Sequence, residues 1–187
     1  MKKITTTIAC TLLLTNGLFA KNQSGIYATP SDFMSNKLTY ETDCKATGTN
    51  TRLHLHDFFW NNKTIGIGID SNGKKVTLKK NGVYGYKNCN NESFRFYNNS
   101  EYQIIDNGGV FTYKQQVLVQ KGKAYVKEPN YYFSTSATSA ILPLTFTNLV
   151  EAYQANPKFI ELLEARFGSN NINASKLNEL YKEAMTK

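Results

Sequence analysis

Thr64-Ile65-Gly66-Ile67-Gly68-Ile69 sets three isoleucines on one face of an extended segment, and Val76 and Leu78 answer them across Asp70-Ser71-Asn72-Gly73. A period of two bounded by turn residues marks a half-buried β-strand. The same alternation continues for much of the chain. Asn81-Gly82, a dipeptide suited to a tight hairpin, precedes Val83-Tyr84-Gly85-Tyr86. Phe94 and Phe96 then alternate with Ser93, Arg95 and Tyr97, and Tyr102, Ile104 and Ile105 run into Asp106-Asn107-Gly108-Gly109. Val110-Phe111-Thr112-Tyr113 returns from that turn, and short strands are predicted around 117–119, 124–126 and 131–133. Short strands at regular spacing, joined by Gly/Asn turns, predict an antiparallel meander curled into a barrel or a sandwich.

The period changes at both flanks. Thr29-Pro30-Ser31-Asp32 carries a cap, a proline at the first helical position and an acid three residues after the cap, which predicts a short helix ending near Lys37. Towards the C-terminus, Phe146, Leu149, Val150 and Tyr153 follow a helical spacing after Thr145. Asn156-Pro157 opens a second helix with Phe159, Leu162, Leu163 and Phe167 on one side and Gly168 as its stop. Leu177, Leu180, Tyr181 and Ala184 mark a third. Each helix has one apolar face and must pack on something, and the open face of the sheet is the available surface. The expected class is therefore α+β: an antiparallel β meander with a short N-terminal helix and two to three C-terminal helices packed on it.

Residues 1–20 follow neither period. Lys2 and Lys3 form a positive head, 4–14 is an apolar core softened by threonines, and Gly17-Leu18-Phe19-Ala20 ends it on small and apolar residues. This is the pattern of a cleaved signal peptide. It leaves a single α+β domain at 21–187, β-rich over 38–135 and helical over 145–187, exported to the periplasm or the cell exterior. The core is too short and too rich in threonine for a membrane span, and no other stretch is apolar for long enough. Cys10 faintly resembles a lipid-attachment cysteine, but cleavage there would strand Thr11-Leu12-Leu13-Leu14 as an exposed apolar start.

Export decides how the cysteines read. Cys44 and Cys89 alone remain after leader removal, and two cysteines in an oxidising compartment suggest one disulfide. On the chain-entropy model a bridge of this span contributes about 4 kcal/mol. The alternative is two unpaired thiols; the absence of a Cys-x-x-Cys spacing argues against a redox motif.

Charge adds less. The formal net charge is +8, of which the leader supplies Lys2 and Lys3, and the remaining lysines are mostly scattered. With 12 Tyr and 11 Phe the chain is too aromatic to be disordered. Nucleic acid is not an expected partner of an exported protein, although Lys75, Thr77 and Lys79 share one strand face. Sequon matches such as Asn98-Asn99-Ser100 are expected by chance in so Asn-rich a chain.

Candidate chemistry is sparse. His54-Leu55-His56-Asp57 places both histidines of the chain on one face of a predicted strand, so His54 and His56 are metal-ligand candidates needing a carboxylate or thiol to complete a site. The competing reading is a polar row opposite Leu53, Leu55 and Phe58. Asp70-Ser71-Asn72-Gly73 looks like the start of a calcium loop but has Asn81 where the bidentate Glu belongs, so it reads as a hairpin turn. Phe58-Phe59-Trp60 and Tyr131-Tyr132-Phe133 cannot bury every ring, because neighbours on a strand face opposite ways. Trp60, Tyr131 and Tyr132 are thus candidate ligand contacts, since aromatic faces beside amides suit sugars; the alternative is that such rings cover a barrel mouth or meet the helices. There is no Gly-x-Ser-x-Gly, His-Glu-x-x-His or phosphate loop, so no catalytic residue and no cofactor is assigned.

Several of these segments carry a resemblance. Gly25-Ile26-Tyr27 with Asp32-Phe33, Val83-Tyr84-Gly85-Tyr86 with Phe94-Arg95-Phe96, and Leu144-Thr145 with Asn148-Leu149 before Asn156 and Phe159 resemble small uncharacterised secreted proteins of Bacteroidetes-type bacteria. The resemblance implies an exported address and the domain outline, and carries no activity or site residues. The expected function is a non-catalytic envelope or extracellular binding or structural module for a glycan or another envelope component. The alternatives are a small metal-dependent hydrolase using His54 and His56, and a secreted protein-protein inhibitor or partner module.

Overall fold

A computed structural model describes residues 23–44, 64–69, 75–168 and 172–186. The leader, Cys10, His54, His56, Trp60 and the 70–73 turn lie outside the described residues. Among the described residues there are ten strands: β1 (Gln23–Tyr27), β2 (Thr39–Asp43), β3 (Thr64–Ile69), β4 (Lys75–Lys79), β5 (Gly85–Lys87), β6 (Ser93–Tyr97), β7 (Ser100–Asp106), β8 (Phe111–Lys121), β9 (Ala124–Ser134) and β10 (Leu142–Pro143). The helices are α1 (Pro30–Met34), α2 (Phe146–Ala152), α3 (Pro157–Phe167) and α4 (Leu177–Met185).

Eight strands form one sheet in the order β10-β9-β8-β7-β6-β5-β1-β2, with every neighbour antiparallel. From β5 to β10 this is the expected meander, and among the described residues no strand pairing closes it into a barrel. Three details depart from the sequence reading. Asn81-Gly82 does not turn a hairpin: 80–82 is a single 3-10 turn linking β4 to β5, which belong to different sheets. The segment 23–27, outside the 38–135 stretch expected to be β-rich, is a sheet strand between β2 and β5. The short strands expected at 110–113 and 117–119 are one 11-residue strand, and those at 124–126 and 131–133 are another. Their register runs unbroken from Phe111↔Ser134 to Lys121↔Ala124, because each backbone supplies the other's hydrogen bonds across the polar stretch between the apolar runs.

Residues directly opposite share a face. One row crosses the sheet through Ile26, Tyr86, Phe94, Gln103, Lys114 and Tyr131. The opposite face carries Tyr27, Gly85, Arg95 and Tyr102, with Tyr113 and Tyr132 further along. On the first face, Ile26, Tyr86 and Phe96 receive Val76 and Leu78 of the β3–β4 hairpin, while Val110 and Phe133 receive the C-terminal helices through Leu149, Tyr153, Phe159, Leu163, Leu177 and Leu180. On the second, Phe111, Tyr113 and Ile141 pack with Phe33 of α1, Tyr102 and Tyr132. α1 has the capping box its sequence predicts: Thr29 Oγ1 accepts from the Asp32 N–H at 3.1 Å, and the Asp32 carboxylate accepts from the Thr29 N–H at 3.0 Å.

One buried amide fixes α4 to the sheet. Asn178 Nδ2 donates to the Val110 carbonyl and Asn178 Oδ1 accepts from the Val110 N–H, both at 2.8 Å. Beside it, Gly109 has φ +137°, and a Cβ there would stand 2.5 Å from the Tyr181 ring. Only glycine lets the 106–109 turn lie against the helix. Asn178→Ala orphans two backbone groups of a fully buried residue and is expected to lower stability by about 2–5 kcal/mol in a urea titration.

Candidate functional site

A large cleft has a volume of about 1040 Å³ and is assembled from several separate parts of the chain. β7 contributes Gln103, Ile104, Ile105 and Asp106; the preceding turn and β6 contribute Asn91, Glu92 and Ser93. Phe33, Met34 and Asn36 come from α1 and its end, Lys114 and Tyr131 from β8 and β9, and 172–175 from the approach to α4. Gln103, Lys114 and Tyr131 lie on one sheet face, whereas Tyr27, Ser93 and Ile104 lie on the other. The cleft therefore passes around the end of the sheet where β6 starts and β7 finishes.

Its walls are held by local chemistry that the amide-rich composition provides. Asn88 Oδ1 accepts from the N–H groups of Asn90 and Glu92, each at 2.9 Å, which winds the 88–92 turn and lets Asn91 adopt φ +65°. The Glu92 carboxylate is engaged from both sides, accepting from Gln103 Nε2 at 2.9 Å and from Asn88 Nδ2 at 2.7 Å. Cys89 sits in this turn and stands at disulfide distance from Cys44, with Cα atoms 5.5 Å apart, so the pair predicted from the sequence ties the cleft rim to the end of β2. On the other side, Tyr27 Oη donates to Asn36 Oδ1 at 3.0 Å, fixing the residue that ends the α1 turn. Asn173 Oδ1 accepts from Ser175 N–H at 3.0 Å and shapes the last wall.

The three aromatic candidates separate. Tyr131 is 43 % exposed and lines the cleft. Tyr132 points to the opposite face, edge-on to Tyr102 at 5.0 Å, and takes no part in the cleft. Phe133 is fully buried under the helices. Trp60, His54 and His56 lie outside the described residues, and among those described no group of three His, Cys, Asp or Glu could hold a metal ion. The lysine strand face behaves as an exposed edge: Thr77 and Lys79 are exposed while Val76 and Leu78 pack inward.

Sequence reasoning missed Arg95, which it read only as a polar position in an alternating strand. The residue is 5 % exposed and lies among three tyrosine rings, with its guanidinium carbon 5.5 Å from the Tyr84 centroid, 5.6 Å from Tyr97 and 5.9 Å from Tyr113. Nη1 donates to Tyr113 Oη at 3.0 Å and Ser134 Oγ at 3.3 Å, and Nη2 donates to the Ser139 carbonyl at 2.8 Å. Phe-Arg-Phe in a β pattern was the available signal, since an Arg between strand aromatics is positioned for cation–π contact.

Burial holds two tyrosine hydroxyls well above their ordinary range. For Tyr84, desolvation is reinforced by the nearby Tyr113 and partly opposed by Arg95; for Tyr153, desolvation is reinforced by Tyr181. Below about pH 10 both are neutral whether folded or unfolded. Above it the unfolded chain ionises and the folded one does not, so stability falls as pH rises. An alkaline titration of tyrosinate absorbance is expected to show a fraction that appears only with unfolding, and Tyr84→Phe or Tyr153→Phe reduces that fraction. Among the described residues no helix is long and apolar enough to cross a membrane. No protein-family model matches this chain, and no curated protein and no solved structure is significantly similar to it.

Proposed function

We propose that this is an exported, non-catalytic binding module and that its ligand is a glycan, or a glycan-bearing envelope component, held in the large cleft. The observation that carries the reading is the half-open Tyr131 ring in the same cleft as Asn36, Asn91, Gln103, Asn107 and Asn173. A sugar offers C–H faces that stack on an aromatic ring and hydroxyls that both donate and accept, which is the chemistry amides match. The volume suits an oligosaccharide segment rather than an ion. Glu92, its carboxylate already shared between Gln103 and Asn88, serves here as an orienting acceptor. The leader pattern supports the exported address, and the Cys44–Cys89 pair is compatible with it. N-terminal sequencing of the secreted form is expected to begin at Lys21.

The test is a glycan array with purified 21–187, followed by calorimetry on each retained sugar. Tyr131→Ala is expected to weaken binding about tenfold or more while leaving the melting temperature within a few degrees, because the ring is half exposed. An array without signal, together with a melting temperature unmoved by envelope extracts, would falsify the reading.

One observation favours the partner-module alternative. Among the described residues, the part of the β8–β9 hairpin from Gln115 to Asn130 pairs in strand register only with itself, and it exposes Leu118 by 66 % and Tyr125 by 68 %. Leu118 opposes Lys127 and Gln120 opposes Tyr125, so both apolar side chains lie on one face. If a protein partner docks there, Leu118→Asp abolishes co-purification from culture medium and leaves glycan binding intact.

A further inference from the structure

A second, smaller pocket of about 310 Å³ opens on the far side of α1, bounded by Pro30, Asn81, Tyr84, Arg95, Ala137 and Thr138. α1 separates it from the cleft, with Pro30 in the small pocket and Phe33 and Met34 in the large one. We infer that this pocket is a binding site for a carboxylate group, with the Arg95 guanidinium as its cationic wall. The inference is independent of the glycan reading and concerns different residues.

Three observations carry it. First, Arg95 is 5 % exposed and yet lines this open pocket. Second, every hydrogen-bond acceptor of Arg95 is a neutral oxygen: Tyr113 Oη, Ser134 Oγ and the Ser139 carbonyl. Among the described residues no carboxylate pairs with it, and a buried cation without a counter-charge is costly. Third, those bonds use three of the five N–H donors a guanidinium carries. The two left are on Nε and Nη2, the pair through which an arginine grips a carboxylate side-on.

The rest of the pocket selects the ligand. Its other walls are Ala28, Pro30, Val83, Phe96 and Ala137 with the amide of Asn81 and the hydroxyl of Thr138. One guanidinium and otherwise uncharged walls balance a single negative charge, which favours a carboxylate over a doubly charged phosphate. The 134–139 loop is fastened beneath the site by Ser134 Oγ donating to the Ser136 carbonyl at 2.7 Å and by Arg95 itself, so the donors are fixed before any ligand arrives.

The test follows the Arg95 Nε–H resonance by NMR in the folded protein as sodium acetate is added, with sodium chloride at equal ionic strength as control and sodium phosphate as a second arm. A saturable shift with acetate that chloride does not produce is the expected result. Arg95→Lys is expected to weaken it tenfold or more. Should Arg95→Lys fail to fold, Thr138→Glu decides instead: an exposed position at the rim then supplies a tethered carboxylate, raising the melting temperature and cutting the acetate response at least tenfold. A resonance that moves no further in acetate than in chloride overturns the site. A response to phosphate alone overturns the carboxylate assignment.

Discussion

The contact between Asn178 and Val110 decides whether the C-terminal helices belong to the sheet at all. A carboxamide has one donor and one acceptor in the arrangement of a peptide group, so Asn178 completes the backbone of Val110 as a neighbouring strand would. Val110 is fully buried, and without that amide its N–H and C=O would face apolar side chains. The apolar cluster of Leu149, Phe159, Leu163, Leu177 and Leu180 supplies most of the attraction, but attraction between apolar faces has no register. The amide sets it. With α4 in place, 172–175 closes one wall of the large cleft.

The sheet has two covered faces with different solutions. One face is sealed by leucine-rich helices and by the β3–β4 hairpin, and its core is ordinary apolar packing. The other is built from tyrosines around a buried arginine, with α1 and the 134–139 loop laid across it. Tyrosine suits that face because its ring can pack while its hydroxyl reaches a partner, as Tyr27 does with Asn36 and Tyr113 with Ser134. The aromatic cage offsets part of the cost of burying Arg95, and the neutral oxygens offset more. Both pockets adjoin α1, a helix of five residues that has no buried side chain of its own. Its capping box and the Phe33 contacts with Tyr27, Tyr84 and Phe111 hold it there.

Much of this was readable one residue at a time. Thr29-Pro30-Ser31-Asp32, Thr145 and Asn156-Pro157 announce helix starts because capping is satisfied within four residues. Phe94 and Phe96, and Val76 and Leu78, announce strands through their period of two. Asn81-Gly82 misled because its turn propensity is local, whereas β4 had already found its partner in β3 and β5 found β1 and β6. β1 was hidden because its burial on both sides comes from strands that lie 12 or more residues later. Of the cleft, only Tyr131 was legible, by the argument that adjacent rings cannot all be buried; Glu92, Gln103 and Asn173 carry no local mark and meet only in space.

The sequence by itself determined the antiparallel meander, the short capped helix, the three amphipathic helices and the two cysteines available for one link. All of these depend on spacing between near neighbours, where hydrogen-bond satisfaction and the alternation of faces are enforced locally. Tertiary structure alone decided that Arg95 is enclosed by tyrosines, that Tyr131 opens on a cleft while Tyr132 does not, and that one asparagine registers α4 on the sheet. Each of those follows from which side chains desolvate one another across long sequence separations, and no periodicity encodes that.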